Sequence, residues 1–576
     1  MRAGERFRRA AALAGGAALA LALGACASMP DDGPVMESTV QVDTAGEIAF
    51  NVQGPAVDAG PEQLVQSFVS VAQFAPASAS TANVAREYVL PSAWSGWDRT
   101  SRVLVLSQYP EWQSAEVEEG ATSTTVEGVA QVVATVDEVG VYTELAEPST
   151  VDVSYQLVRG PDGQWRIGGL DDGLLVLANF LGDSFHRTTL SYPTPDRQWW
   201  VPDVRWFPEQ SWRTAATREI LAGPPAHLAQ STISVVPDGT TLAIDAVTVD
   251  EDGVVDVSVT SPISGASAED RALLVAQLSE TLRDREGRSV VLSDGSSPLA
   301  TESVAEPSRP LTVGDALALV DADGVPTLQR VVGRELTDPA GPYWLDGLDP
   351  TALGVGPEDG ATVVRDGTDR LVRVSGEAPV ELLVGTDLVA PGVDRFGTVW
   401  TADRTAVRAV LPDGAVVAVD GDWVDGRQVR SLAVSPEGAR LAVVLDGTEG
   451  PEAWVAAIER DADDVPTGLA AAARVGAPVG GVTSAAWFEE STLILLGRDA
   501  DGAEALYLAG VGGLAGPGGG ESRLYTSPSG VTRVTAGVGG ASPPLVVDDD
   551  GTLQVRQSAA LWPSIAEGVV AVAYPG

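Results

Sequence analysis

The stretch Leu432-Ala433-Val434-Ser435-Pro436-Glu437-Gly438 decides how the C-terminal half is read. Three apolar residues end in a Ser-Pro-Glu-Gly turn, and a second apolar run over residues 439–445 follows at once. That is the pattern of a short strand, a tight turn and a buried partner strand. Comparable runs begin near Leu353, Leu388, Ala485 and Val534. Their spacing of roughly 35 to 50 residues is the period of propeller blades. From about Pro310 onward helical periodicity is absent, and short apolar runs alternate with Asp-Gly turns. The last run, Val570-Ala571-Val572-Ala573, reads as the first strand of one more repeat, with its missing strands supplied by residues 316–319 and 327–332. Pairing the two ends closes the ring and removes exposed sheet edges. Five whole repeats and one shared blade predict a six-bladed β-propeller over residues 310–576.

Upstream of the propeller the periodicity changes to a mixture of helix and strand. Residues 186–304 read β-α-β-β-α-β, an α/β sandwich. An aromatic strand region spans 188–207, and a helix over 211–222 ends at Gly223-Pro224-Pro225. An alternating hairpin follows over 241–249 and 254–259. The next helix opens on Ser267 and Asp270 in a capping-box-like start and repeats Leu274, Leu278 and Leu282. A strand over 289–293 completes the module. Residues 61–184 begin with helices over 61–74 and 80–89 and continue as strands over 102–107, 112–117, 123–137 and 151–158. The turn Gly160-Pro161-Asp162-Gly163 leads into a last strand over 165–167. Helices followed by an antiparallel sheet make an α+β domain. The chain as a whole is expected to be multidomain, α+β and all-β.

The N-terminus reads as an export signal. Arg2, Arg6, Arg8 and Arg9 precede an uncharged, Ala- and Leu-rich stretch over residues 10–25, too short for a stable membrane span but suited to a signal peptide. It ends in Leu23-Gly24-Ala25-Cys26, which resembles the lipobox of bacterial lipoproteins. Residues 1–25 are therefore expected to be removed and Cys26 to carry a lipid on the extracytoplasmic face of the cell membrane. Cys26 is the sole cysteine of the chain, so no disulfide accounts for it. Residues 26–60, rich in Asp, Gly, Pro and Ser, read as a tether.

Composition excludes several classes of function. The formal net charge of −44 repels nucleic acid and anionic lipid surfaces, so neither is expected as a ligand. The only histidines are His186 and His227. With no cysteine left after lipidation, zinc sites, cysteine nucleophiles and most Ser-His-Asp arrangements fall away. Acidic residues sit mainly in turns such as Asp548-Asp549-Asp550-Gly551, where turn geometry explains them. Residues 510–520, a Gly-Pro run, read as a flexible blade loop, since no helix and no lysine follow to cradle a phosphate. No catalytic residue, metal or cofactor is assigned. The one local concentration is Trp199, Trp200, Trp206, Phe207 and Trp212. These residues form either a binding face, as Trp often does at interaction hot spots, or packing between modules; packing is the favoured alternative. In an unbroken strand Trp200 and Trp206 share one face with Pro202 and Val204, and Trp199 and Phe207 take the other. Pro202 is expected to interrupt that strand.

Taken over its full length, the chain resembles the actinobacterial lipoprotein family LpqB. The likeness rests on Ser28-Met29-Pro30-Asp31-Asp32-Gly33-Pro34-Val35 after the lipobox, on Trp200-Val201-Pro202-Asp203-Val204-Arg205-Trp206-Phe207 and Leu221-Ala222-Gly223-Pro224 in a GerMN-like middle domain, and on the C-terminal propeller. The resemblance implies an accessory role beside the MtrA–MtrB two-component pair. Its partner would be the extracellular part of the sensor histidine kinase, and its output would bear on cell-wall homeostasis and division. Two other functions stay open: a lipoprotein that binds a cell-wall ligand, and a propeller hydrolase.

Overall fold

Closure of the C-terminal ring depends on one strand pairing across about 250 residues of chain. In the computed structural model, Val569–Ala573 pairs antiparallel with Leu317–Ala322, in the register Leu317 to Ala573 and Ala318 to Val572. It thereby becomes the inner strand of a blade completed by Val325–Val332 and Glu335–Thr337. Five further sheets follow in sequence order. Their inner strands are Pro350–Val355, Gly392–Val393, Val429–Val434, Gly480–Glu489 and Val531–Thr535. Six blades surround one axis, as the repeat count predicts. The quoted segment does what its pattern demands. Val429–Val434 pairs with Arg440–Asp446, whose residues Leu441 to Leu445 are fully buried. The turn between these strands is held by the Ser435 amide donating to the Arg440 carbonyl at 2.9 Å and by Gly438 at φ 72°.

The structure describes residues 52–576, apart from 116–119, 284–288, 296, 340, 358–359, 404–405, 500, 516–519 and 559. Residues 52–576 form one compact unit. The signal peptide, Cys26 and the tether up to Asn51 lie outside the described residues. Among the described residues no helix is long and apolar enough to cross a membrane.

The N-terminal α+β domain packs helices Pro61–Ala72, Ala79–Arg86 and Pro91–Gly96 with a twisted sheet. The sheet order is Trp165–Leu170, Tyr142–Arg159, Ser123–Asp137, Arg102–Leu106, Leu174–Leu177. Leu64, Phe68 and Val71 face inward, as their helical spacing requires, and the Phe68 ring lies 5.6 Å from Trp97 and 5.8 Å from Tyr155. The strand expected over 151–158 is much longer, Tyr142–Arg159. A turn at Asp137, whose Oδ1 accepts from the Val139 and Val141 amides, folds the chain back so that Tyr142 pairs with Val136. That extension carries Tyr142 and Glu144 toward the propeller.

In the middle module the aromatic region is a two-stranded hairpin, Phe185–Pro193 with Trp200–Pro208. Pro202 does not interrupt it. The amides of Trp200 and Trp206, which share its parity, point away from the partner strand and donate to Ser308 and Gly140 carbonyls at 2.9 and 2.8 Å. A proline at the same parity therefore costs no ladder bond. The helix Ala268–Thr281 starts on the predicted cap, with Ser267 Oγ accepting from the Asp270 amide. It crosses between the parallel strands Val255–Ser258 and Val290–Ser293. The long hairpin expected over 241–249 shrinks to Thr248–Val249 against Val255 and Asp256. Leu242 still bridges Val259, with the Ala243 amide donating to the Ser258 carbonyl, and residues 244–247 bulge out between the two pairings, where Asp245 pairs with Arg218 and the Val247 amide donates to Thr214 Oγ1.

Candidate functional site

The aromatic hairpin is the piece on which the three modules converge, and its two faces have separate jobs. One face carries Leu190, Tyr192, Val201 and Phe207, which join Trp212, Ile220, Leu274 and Leu278 in a core that extends to Ala439 and Ala457 of the fourth blade. The other face carries Arg187, Val204 and Trp206 at one end and Trp200 at the other. Trp200 packs on Leu273 and Ala276 of the helix Ala268–Thr281, whereas Trp206 joins the core of the N-terminal domain beside Tyr142, at 6.1 Å. Trp200 and Trp206 do share a strand face, yet they serve different interiors.

Three polar contacts fasten this face to the fifth blade. The Trp206 indole donates to the Gly512 carbonyl at 2.9 Å. Arg187 donates from Nε to the Gly513 carbonyl at 3.0 Å and from Nη2 to Ser491 Oγ at 2.9 Å. Burial lowers the Arg187 pKa, against the opposing pull of Glu489 and Glu490. The glycines are required here. A Cβ on Gly512 would meet Val204 Cβ at 2.7 Å and the Val204 carbonyl at 2.8 Å, and both Gly512 and Gly513 have positive φ. The segment expected to be a flexible loop is thus, over residues 510–515 and 520, a docking surface. The N-terminal domain completes the seam: the Glu144 carboxylate accepts from the Ser522 amide at 2.6 Å and the Ser522 hydroxyl at 2.7 Å. Burial raises the Glu144 pKa, hydrogen bonds from Ser522 oppose that, and the charge of Glu521 adds to it. Tyr142 Oη is buried there without a partner, and burial raises its pKa strongly.

The remaining predicted site residues fall into place around this seam. Trp200, Trp206, Phe207 and Trp212 are buried, at 3%, 2%, 4% and 3% exposure, so within this chain they are packing residues. Trp199 is half-buried beside the turn, its carbonyl accepting from the Thr194 amide. Trp212 stacks on His186 at 4.0 Å and 6°. Cys26 lies outside the described residues. Sequence reasoning missed Arg187, Glu144 and Ser522, whose partners are more than 300 positions away. The one available signal was the glycine pair Gly512-Gly513, misread as flexibility.

The propeller axis holds a cavity of about 170 Å³ lined by the inner strands. Its walls are apolar residues with Thr312, Ser431, Ser484, Thr535, Trp487 and Tyr574, and among the described residues no Asp, Glu, His or Arg side chain lines it. Among the described residues, no group of three His, Cys, Asp or Glu side chains is arranged to hold a metal.

These features define a multimodular β-propeller protein in which an α/β module is wedged between an α+β domain and the ring. Residues 54–181 match the LpqB N-terminal domain family, 326–575 the LpqB β-propeller domain family, and 189–297 the sporulation and spore germination family. Lipoprotein LpqB of Bifidobacterium longum is 28% identical over 506 residues, covering 85% of this chain and 86% of that one. Lipoprotein LpqB of Streptomyces coelicolor is 26% identical over 638 residues, covering 100% and 99%. Among solved structures, the gluconolactonase XC5397 of Xanthomonas campestris is similar over 46% of this chain and 89% of that one, at 13% identity and a TM-score of 0.30. The chain belongs to the LpqB lipoprotein family.

Proposed function

We propose that this protein is a lipid-anchored extracytoplasmic accessory protein that binds the extracellular domain of a sensor histidine kinase and tunes two-component signalling tied to cell-wall homeostasis and division. The anchor is a lipid on Cys26. Two or more acyl chains there hold the protein stably, where a single chain gives marginal binding. The observation that supports this reading best is the locked seam. Arg187, Trp206 and Glu144 tie three modules into one body, so the protein offers a fixed composite surface to a partner. A rigid surface binds without the ordering cost that swinging domains incur. The net charge of −44 favours a partner face rich in Arg and Lys and speeds encounter with it.

The test is co-purification of the full-length lipoprotein, in detergent, with the ectodomain of an MtrB-like sensor histidine kinase from the same organism. Salt-sensitive, saturable binding is expected. No complex at high micromolar concentration of both proteins sinks the reading.

A further inference from the structure

We propose that the seam between the middle module and the propeller holds a binding site for a small zwitterion of the amino-acid class. The proposal goes beyond the kinase-contact reading and does not depend on it. A cavity of about 110 Å³ lies at this seam, walled by Asp196 and Ser231 of the middle module and by Arg395, Phe396, Glu437 and Arg460 of blades three and four. Domain interfaces are favoured places for small-molecule sites.

Two side chains on the cavity wall have bonding capacity that the protein leaves unused. Glu437 is fully buried. Its Oε1 accepts from Ser435 Oγ and Arg440 Nε, both at 2.6 Å, but its Oε2 has no partner. Arg460, with its side chain only 10% exposed, donates from Nη2 to Asp394 Oδ2 at 2.7 Å and from Nη1 to the Asp464 carbonyl at 2.8 Å, but its Nε has none. Leaving such groups unsatisfied is costly, more so when they are charged, so each calls for a partner. One is an acceptor and the other a donor. A ligand that satisfies both must itself carry a donor and an acceptor.

Charge narrows the class further. The carboxylates of this seam already have counter-ions: the more exposed Asp196 with Arg395 at 2.7 Å, and the buried Glu437 with Arg440 and Asp394 with Arg460. A net ion entering this balanced wall would be buried without compensation, whereas a neutral, dipolar ligand would not. Asp461 and Asp464 stand exposed at the rim, where solvent screens them. The donors are also fixed in place, since the Arg395 and Arg460 guanidinium carbons sit 4.0 and 4.2 Å from the centroid of the Phe396 ring. Burial works against the Asp196 carboxylate, but hydrogen bonds from Thr194 and Arg395 outweigh it and hold its pKa below the ordinary value, so it stays ionised. The space exceeds that of three water molecules at about 30 Å³ each and suits glycine or alanine.

The experiment is equilibrium dialysis of the full-length protein against labelled glycine, L-alanine and D-alanine, with acetate and methylammonium as half-ligands. Saturable binding of at least one amino acid in the millimolar range or tighter is expected, with each half-ligand at least about tenfold weaker. Glu437→Gln should weaken binding about tenfold or more. Because that change also touches Arg440, Ala462→Trp at the exposed rim serves as a second variant that blocks entry without touching the buried pairs. No binding by a cooperatively folded wild-type chain overturns the proposal, and the cavity then holds only water. Equal binding of a half-ligand, or full binding by both variants, overturns it as well.

Discussion

The carboxylate of Glu144, in the N-terminal domain, is gripped by the amide and hydroxyl of Ser522, 378 residues further along the chain. This contact places an ionisable group in the seam, where burial raises its pKa and the nearby Glu521, itself raised by burial, adds to the effect. A carboxyl whose folded pKa lies above its unfolded value binds more protons in the folded state. Stability is therefore greatest below the unfolded pKa and falls as pH rises through the folded one. Glu144→Gln keeps both bonds, because its amide oxygen accepts from the Ser522 amide and its NH₂ donates to the hydroxyl. The variant should be at least as stable as wild type at pH 7.5 and show a flatter loss of stability from pH 4 upward. Urea melts across that range, wild type against variant, separate this effect from the general acidity of the chain. A variant less stable at every pH argues against it.

Gly512→Ala places a methyl group against Val204 at a positive φ. The backbone strain alone is about 1–3 kcal/mol. We expect the seam to loosen, with earlier proteolysis near residues 510–520 and a lower melting temperature, while the circular dichroism of the ring is retained. An unchanged protease pattern contradicts the docking role of this glycine.

Trp206→Ala removes a buried indole shared by the N-terminal domain and the fifth blade. A loss of about 3–5 kcal/mol is expected. The half-buried Trp199 should tolerate alanine at a cost of about 1 kcal/mol or less. Denaturant titration of the two variants checks the ranking, and equal losses would refute the division between seam and periphery.

Cys26→Ala is expected to release the protein from membranes while leaving residues 52–576 folded. Fractionation and thermal melting read the two halves of that statement. A variant that still sediments fully with membranes shows that something other than the lipid holds it.

Much of this fold is written in local pattern. The period of the apolar runs, the pairing of Val569–Ala573 with Leu317–Ala322 and the shared strand face of Trp200 and Trp206 all follow from alternation and spacing. The errors have physical causes. Pro202 looked like a strand breaker, but its nitrogen faces away from the partner strand. Residues 241–249 alternate like a strand, yet only their two ends pair with the sheet, and Asp245 between them reaches Arg218 instead. The seam itself was illegible. Arg187, Glu144 and Ser522 are ordinary polar residues in sequence and gain meaning only when chain segments hundreds of residues apart meet. The orphaned atoms of Glu437 and Arg460 are likewise a property of burial, which no motif reports.

The inner strand Val569–Ala573 joins the start of the ring to its end. Synthesis runs from the N-terminus, so the first blade stays without its inner strand until residues 569–573 have emerged. Until then the edge of Leu317–Ala322 is an open template for any passing strand, the kind of exposure that promotes aggregation. The ring is therefore also a checkpoint on integrity: a chain clipped anywhere before residue 569 cannot latch, and its damage is displayed as a bare β-edge that proteases and chaperones can find.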